Sequence, residues 1–291
     1  MNFVISGASG FIGGALSKRI ADMGGRVTPL ERSDFFPESA EVLSAKLADA
    51  DVVVNLAGAN LNARWTPQYK RAILSSRVET TRRIVETVNA LRRKPSLLVS
   101  TSAVGIYPSA GCFRDSSPTR GDGFLSYVCS KWEGEAVKVS PDVRLVITRL
   151  APVLSKTGGV FPLMFDVFKK GLGARIGNGR QYFSWIMLED LLRIYCWIFS
   201  NDKICGRVNC VAPEITDNRT FSRQLAREMD APALWIVPKF AMRLAFGERA
   251  VLFNEGQCAL PHLLEESGFR FSYPHIYEAL ADLCKSDYMI E

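Results

Sequence analysis

A glycine-rich turn near the start of the chain constrains the fold more than any other feature of the sequence. The short apolar run 2–6 leads directly into GASGFIG at residues 7–13, and a helical pattern follows. Gly7 would allow a tight turn, Gly10 would let the backbone approach a pyrophosphate, and Gly13 would let the helix pack closely on the strand. Strand, glycine turn and helix in this order indicate a dinucleotide site.

Strands and helices then alternate over the first half of the chain, which is typical of an α/β fold with a doubly wound parallel sheet. After residue 149 the alternation weakens, and glycine and proline become frequent. We therefore expect a Rossmann core over residues 1–154 and a mixed region over 155–291. Within that region, segments at about 181–212 should complete the sheet, and 155–180 with 213–291 should form a smaller, mainly helical substrate lobe.

Composition excludes several classes of protein. The chain has 291 residues, 47% of them hydrophobic, and a net charge of +6 that is scattered along it. Seven cysteines without a C-x-x-C pair argue against a disulfide framework and favour a reducing compartment, hence the cytoplasm. With two histidines and no long apolar run, we expect no metal site and no membrane segment, and the scattered charge gives no reason to expect nucleic acid.

The residues after the second predicted strand bear on the choice between NAD and NADP. Glu31 would accept hydrogen bonds from a free ribose 2′-hydroxyl, whereas Arg32 would pair with a 2′-phosphate. We favour Arg32 and NADP, with NAD as the alternative. At the end of the third strand, the small residues Ala57 and Gly58, next to Leu56, would let the backbone approach the cofactor.

A serine, a tyrosine and a lysine follow with a spacing suited to proton transfer. Ser102 lies at the end of a predicted strand, and Tyr127 and Lys131 lie four residues apart on a predicted helix. A neighbouring ammonium would lower the pKa of the phenol, as acid/base chemistry near neutral pH requires. Ser102 would then orient the substrate oxygen.

With these motifs the chain resembles the short-chain dehydrogenase/reductase superfamily, in its extended, sugar-nucleotide-epimerase-like branch. It is most similar to the subgroup of epimerase family proteins, sometimes labelled cell-division inhibitors. The resemblance covers nearly the whole chain and includes GASGFIG at 7–13, NLAG at 55–58, SAVGIY at 102–107, YVCSK at 127–131, RLAPVL at 149–154 and GNGRQYFSWI at 177–186. Many subgroup members lack the Tyr-x-x-x-Lys pair, which this chain has.

The resemblance also implies further site residues. Lys131 would bind the nicotinamide ribose, and Pro152 and Val153 would flank the nicotinamide. The expected cofactor residues are Gly7, Ser9, Gly10, Phe11, Ile12, Gly13, Arg32, Leu56, Ala57, Gly58, Lys131, Pro152 and Val153.

The expected substrate residues are Arg180, Tyr182 and Trp185, in a segment rich in aromatic side chains. Burial in an edge strand would explain Trp185 equally well. The substrate would be a small molecule, with a nucleotide-sugar or another phosphorylated carbonyl compound as the candidate.

The sequence thus favours an NADP-dependent oxidoreductase or epimerase acting at a carbinol or carbonyl carbon. The alternative is a regulatory protein that binds NADP(H) and senses its redox state with little catalysis. Reductase and epimerase are both compatible with these residues, as are a monomer and a homodimer.

Overall fold

A computed structural model describes residues 1–231 and 235–285 and has an α/β fold. The strands are β1 (Asn2–Ser6), β2 (Arg26–Leu30), β3 (Val52–Asn55), β4 (Leu97–Ala103), β5 (Cys112–Phe113), β6 (Arg144–Leu150), β7 (Val153–Ser155), β8 (Gly158–Gly159), β9 (Ala174–Ile176), β10 (Ile186–Met187), β11 (Gly206–Cys210), β12 (Trp235–Val237) and β13 (Cys258–Ala259). The α-helices are α1 (Phe11–Asp22), α2 (Ala40–Ala48), α3 (Pro67–Ala90), α4 (Phe124–Ala136), α5 (Phe161–Lys169), α6 (Leu188–Ser200), α7 (Asn218–Glu228), α8 (Lys239–Phe246), α9 (Val251–Asn254), α10 (His262–Glu266) and α11 (Ile276–Cys284).

The central sheet has six strands in the order β11-β6-β4-β3-β1-β2. The strands from β2 to β4 pair in parallel, with Val4 opposite both Thr28 and Val53. The chain runs outward from β1 to β2 and returns to β3 on the other side of β1. The carboxyl end of β1, where the glycine turn lies, is therefore a switch point of the sheet, which is where open α/β sheets bind ligands. The predicted doubly wound parallel sheet is confirmed.

The first compact unit comprises residues 1–106, 122–149 and 192–208. Apolar side chains of β1, β3 and β4 are buried against α2 and α3, because helices that cover the faces of a parallel sheet exclude water from them. This core includes Val4, Leu43, Val53, Ile84 and Leu98. Helix α3 begins where Thr66 accepts a hydrogen bond from the Tyr69 amide and Pro67 occupies the first turn.

The second compact unit comprises residues 107–121, 150–191 and 209–291, as far as these are described. Its core joins α5, α7 and α11 and includes Phe161, Trp185, Phe221 and Leu280. Residues 107–121 thus belong to the second unit, and residues 192–208 belong to the first.

One disulfide corrects the expectation from the cysteine spacing. Cys112 and Cys258, 146 residues apart in sequence, are bonded to each other where β5 pairs with β13. The spacing gave no sign of this pair, because only the fold brings the two short strands together. Within residues 1–231 and 235–285, no helix is both long enough and apolar enough to cross a membrane. The same residues contain no group of three His, Cys, Asp or Glu side chains suited to a metal ion.

Candidate functional site

The glycine turn has the tight geometry that its sequence predicts. Gly7 has φ +73°, a conformation that favours glycine, and its carbonyl accepts a hydrogen bond from the Gly10 amide at 3.0 Å. A Cβ on Gly13 would lie 2.1 Å from the Gly7 oxygen, so no other residue fits there without moving the turn. Gly10 caps α1 without a side-chain hydrogen bond. The first amides of the helix therefore have no side-chain cap, as an anion site requires.

A buried carboxylate shapes the turn after β2. Asp34 accepts hydrogen bonds from the Glu31 amide at 2.8 Å and from Lys46 Nζ at 2.7 Å. Arg32 begins the short 3₁₀ segment Arg32–Phe35, and its side chain is exposed. This turn holds Arg32 at the carboxyl end of β2, the strand next to β1.

The end of β3 is attached to its neighbours by a buried amide. Asn55 accepts a hydrogen bond from Ser6 Oγ at 2.6 Å and donates one to Thr81 Oγ1 at 2.8 Å. The Leu56 amide donates to the Ser6 carbonyl at 3.1 Å. A Cβ on Gly7 would lie 3.0 Å from the Leu56 carbonyl, so the glycine turn and the start of the segment 56–58 are in close contact.

A half-buried arginine fixes the rest of this segment. Arg77 on α3 donates to the carbonyls of Ile73 and Ala59 at 3.1 Å each. A Cβ on Gly58 would lie 2.8 Å from the Arg77 guanidinium carbon, which explains the glycine. Burial lowers the pKa of Arg77. Arg77 thus holds the backbone just after the segment 56–58, which is expected to lie against the cofactor.

Ser102 at the end of β4 belongs to a buried charged cluster. Its hydroxyl donates to Glu133 Oε1 at 2.8 Å, and Arg149 donates to both Glu133 oxygens at 2.8 Å each. Arg207 Nε lies 3.2 Å from Glu133 Oε2. Burial disfavours the charged carboxylate, but the hydrogen bonds and charges of Arg149, with Ser102 and Arg207, outweigh burial and lower the pKa of Glu133.

The structure does not bring Ser102 together with Tyr127 and Lys131. The residues of α4 that face Ser102 are Glu133 and Cys129, whose pKa is raised to about 11, first by burial and then by the charge of Glu133. Cys129 and Tyr127 are two positions apart, and residues so spaced lie on nearly opposite faces of a helix.

Tyr127 is 51% exposed, and Lys131 is exposed as well. Lys131 Nζ is 5.6 Å from the centre of the Tyr127 ring. The predicted pair therefore exists, but on the face of α4 away from Ser102. The spacing of Tyr127 and Lys131 shows that they are neighbours, and it cannot show which face of the helix meets the sheet. Sequence reasoning missed Glu133 and Cys129, and their own i, i+4 spacing was the signal that could have found them.

The remaining predicted residues lie in the second unit. Val153 is buried on β7, and the exposed Pro152 accepts a hydrogen bond from the Ile186 amide at 3.1 Å. Arg180 is exposed and Tyr182 is half-buried. Trp185 is completely buried in the core of the unit. For Trp185 the packing interpretation holds, and the side chain offers no surface to a substrate.

Comparison with known proteins places the chain in a family. A family model described as the NAD dependent epimerase/dehydratase family matches residues 3–210, and a domain of unknown function matches residues 237–283. An epimerase family protein of Staphylococcus haemolyticus is 35% identical over 293 residues, covering 97% of this chain and 98% of that protein. A chloroplastic epimerase family protein SDR39U1 homolog of Arabidopsis thaliana is 34% identical, covering 96% of this chain and 86% of that protein.

A solved structure extends the similarity to the whole fold. The crystal structure of human epimerase family protein SDR39U1 with NADPH superposes with a TM-score of 0.91 at 30% identity, covering 98% of this chain and all (100%) of that one. The family match includes the glycine turn, the segment 55–58, Ser102 and helix α4. The chain therefore belongs to the NAD dependent epimerase/dehydratase family.

Proposed function

We propose that this protein binds NADP(H) at the glycine turn and acts as an oxidoreductase or epimerase at a carbinol or carbonyl carbon. The single observation that carries the proposal is the tight glycine turn at the start of α1, which has no side-chain cap. The turn is so tight that a Cβ on Gly13 would lie 2.1 Å from the Gly7 oxygen. Such an end is suited to a pyrophosphate. The human relative, similar over its whole length, was crystallised with NADPH, which supports the same choice of cofactor.

This chain's residues would hold the cofactor in three places. The glycine turn would receive the pyrophosphate, Arg32 the 2′-phosphate and the segment 56–58 the adenosine side. When bound, the nicotinamide supplies a hydride donor or acceptor. Two side chains order the backbone next to these places by hydrogen bonds. Asp34 accepts from the Glu31 amide beside Arg32, and Arg77 donates to the Ala59 carbonyl beside the segment 56–58.

The proton donor remains a prediction. The sequence assigns it to Tyr127, assisted by Lys131 and Ser102, but Ser102 Oγ donates to Glu133 and Tyr127 lies on another face of α4. This arrangement favours the second candidate function, an NADP(H)-binding protein that senses redox state with little catalysis. The two candidates share the cofactor and differ in turnover.

Cofactor binding is tested by titrating the cofactor-free protein with NADPH and with NADH and following tryptophan fluorescence. We expect tighter binding of NADPH in the wild type, and loss of that preference in Arg32→Ala. Arg26→Ala is the matched control, since Arg26 is an exposed arginine at the opposite end of the same strand. Failure of both cofactors to bind would refute the proposal, and an unchanged preference in Arg32→Ala would refute the role of Arg32.

Catalysis is tested with a panel of carbonyl compounds and nucleotide-sugars, by following NADPH oxidation for a reductase and formation of the epimer for an epimerase, which regenerates its cofactor in each cycle. Turnover that is abolished in Tyr127→Phe would support the assignment of the proton to Tyr127. Turnover that survives would refute this assignment and leave the oxidoreductase in place. Tight NADPH binding without turnover on any compound would favour the redox-sensing protein.

A further inference from the structure

The disulfide between Cys112 and Cys258 is exposed on one side only. Cys112 begins β5 and is exposed, as is the bend at residues 109–111 that precedes it. Cys258 on β13 is buried, with 2% of its surface exposed. A thiol opens a disulfide by attacking one of its two sulfur atoms, so access decides which sulfur is attacked. A dissolved thiol therefore approaches this bond from the Cys112 side.

Hydrogen bonds hold the backbone on both sides of the buried Cys258. Ser184 Oγ donates to the Gln257 carbonyl at 2.8 Å and accepts a hydrogen bond from the Ala259 amide at 3.3 Å. The residues before and after Cys258 are thus attached to one side chain. Neither sulfur atom takes part in these hydrogen bonds, so opening the disulfide leaves them in place.

A second set of hydrogen bonds keeps β5 beside β13. The Leu260 amide donates to the Phe113 carbonyl at 2.8 Å, and Asn209 Nδ2 donates to the carbonyls of Phe113 at 3.2 Å and Leu260 at 3.0 Å. Cys112 and Cys258 are direct partners in this strand pair, with their Cα atoms 4.5 Å apart. A thiol released at Cys258 therefore stays within reach of the Cys112 sulfur.

We propose that this disulfide is a site of reversible exchange with small thiols of the glutathione class. Cys112 is the sulfur that is attacked, and Cys258 is the resolving thiol. In the first step the incoming thiolate forms a bond to Cys112 Sγ, the bond between the two cysteines breaks, and Cys258 leaves as a thiolate that takes up a proton. Neither NADP(H) nor a substrate takes part, so this site goes beyond the proposed function.

The adduct on Cys112 has two fates. In one, the Cys258 thiolate attacks Cys112 Sγ and expels the small thiolate, which restores the original disulfide. In the other, a second small thiolate attacks the sulfur of the bound one, which releases a small disulfide and leaves both cysteines reduced. Each step forms one sulfur–sulfur bond and breaks one, so a thiol is the only co-reactant needed.

The order of attack is tested with two variants that both lack the disulfide. Cys258→Ser keeps the exposed thiol of the pair, and Cys112→Ser keeps the buried one. We expect oxidised glutathione at about pH 8 to modify Cys112 at least about tenfold faster than Cys258, because exchange requires access to the thiolate. Peptide mapping by mass spectrometry locates each adduct and separates it from one on the exposed Cys205.

Equal rates at the two cysteines, in variants whose circular dichroism matches that of the wild type, would overturn Cys112 as the attacked sulfur. The wild type tests the same order without a substitution. Reduced glutathione in excess, followed by an acid quench, should give an intermediate with the adduct on Cys112 and a free thiol at Cys258. A bond that stays closed in excess reduced glutathione would overturn the exchange itself.

The resolving role of Cys258 is tested by reducing the wild type with dithiothreitol, removing the reductant and adding oxidised glutathione. We expect the wild type to regain the bond between Cys112 and Cys258, whereas Cys258→Ser should keep its adduct on Cys112. A lasting adduct on Cys112 in the wild type would overturn this role.

Discussion

The Ser102 hydroxyl donates its hydrogen to the Glu133 carboxylate, which also accepts two hydrogen bonds from Arg149. The serine expected to orient a substrate is therefore part of a buried ion-pair cluster. For Ser102 to donate to a substrate oxygen, its hydroxyl would have to turn away from Glu133. A substrate held by Ser102 would therefore replace the hydrogen bond between Ser102 and Glu133.

The first prediction concerns Glu133. Replacement by Gln leaves Arg149 buried without its carboxylate, so we expect the free energy of unfolding at pH 7 to fall by about 3 kcal/mol. Chemical denaturation of the wild type and Glu133→Gln measures this. Glu79→Gln on α3 is the control, since Glu79 is exposed, and it should change stability by less than about 0.5 kcal/mol.

The second prediction concerns the pH dependence of the same carboxylate. The pKa of Glu133 is lower in the folded protein than in the unfolded chain, where it is about 4.3. Its stabilising contribution is therefore complete above that value and decreases as the pH falls toward the folded pKa. The difference in stability between wild type and Glu133→Gln should shrink in acid, and an equal difference at pH 7 and pH 3 would contradict the assignment.

The third prediction compares two adjacent glycines of α1. A Cβ at Gly13 would meet the Gly7 oxygen at 2.1 Å, whereas at Gly14 the nearest atom, the Ala8 oxygen, would be 3.6 Å away. Gly13→Ala should cost about 1–3 kcal/mol of stability and abolish NADPH binding. Gly14→Ala should keep the cofactor and gain roughly 0.5–1 kcal/mol, because alanine favours a helix interior. Parallel thermal unfolding and NADPH titration would decide, and normal binding by Gly13→Ala would be evidence against the glycine turn as the site.

The fourth prediction concerns the cysteines. Cys129 is buried and its pKa is raised to about 11, while Cys205 is exposed. A thiol reagent at about pH 8 should therefore modify Cys205 quickly and Cys129 only after unfolding, because the thiolate is the reacting form. Peptide mapping by mass spectrometry gives the two rates, and rapid labelling of Cys129 in the folded protein would contradict its burial.

The fifth prediction concerns the disulfide between Cys112 and Cys258. Because it closes a long loop, Cys112→Ser should lower the free energy of unfolding under oxidising conditions by about 2–4 kcal/mol. Cys205→Ser, at an exposed free thiol, serves as the control. If dithiothreitol lowers the Tm of the wild type but not of Cys112→Ser, the bond is responsible. Equal Tm values for the two proteins without reductant would exclude it.

The sequence by itself determined the parallel sheet and its glycine turn. Both follow from local rules, since a buried strand followed by Gly7, Gly10 and Gly13 permits few other conformations. The sequence also assigned the residues that follow β2 and β3 to the cofactor. This is consistent with the parallel sheet, because the carboxyl ends of neighbouring parallel strands lie at the same edge.

Only the tertiary structure decided which side chains face one another. Tyr127 and Lys131 are neighbours on α4, as their spacing predicts, but rotation of that helix against the sheet turns Cys129 and Glu133 toward Ser102. Contacts between segments far apart in sequence leave no trace in local spacing. The bond between Cys112 and Cys258 is of this kind, since long-range packing alone sets it.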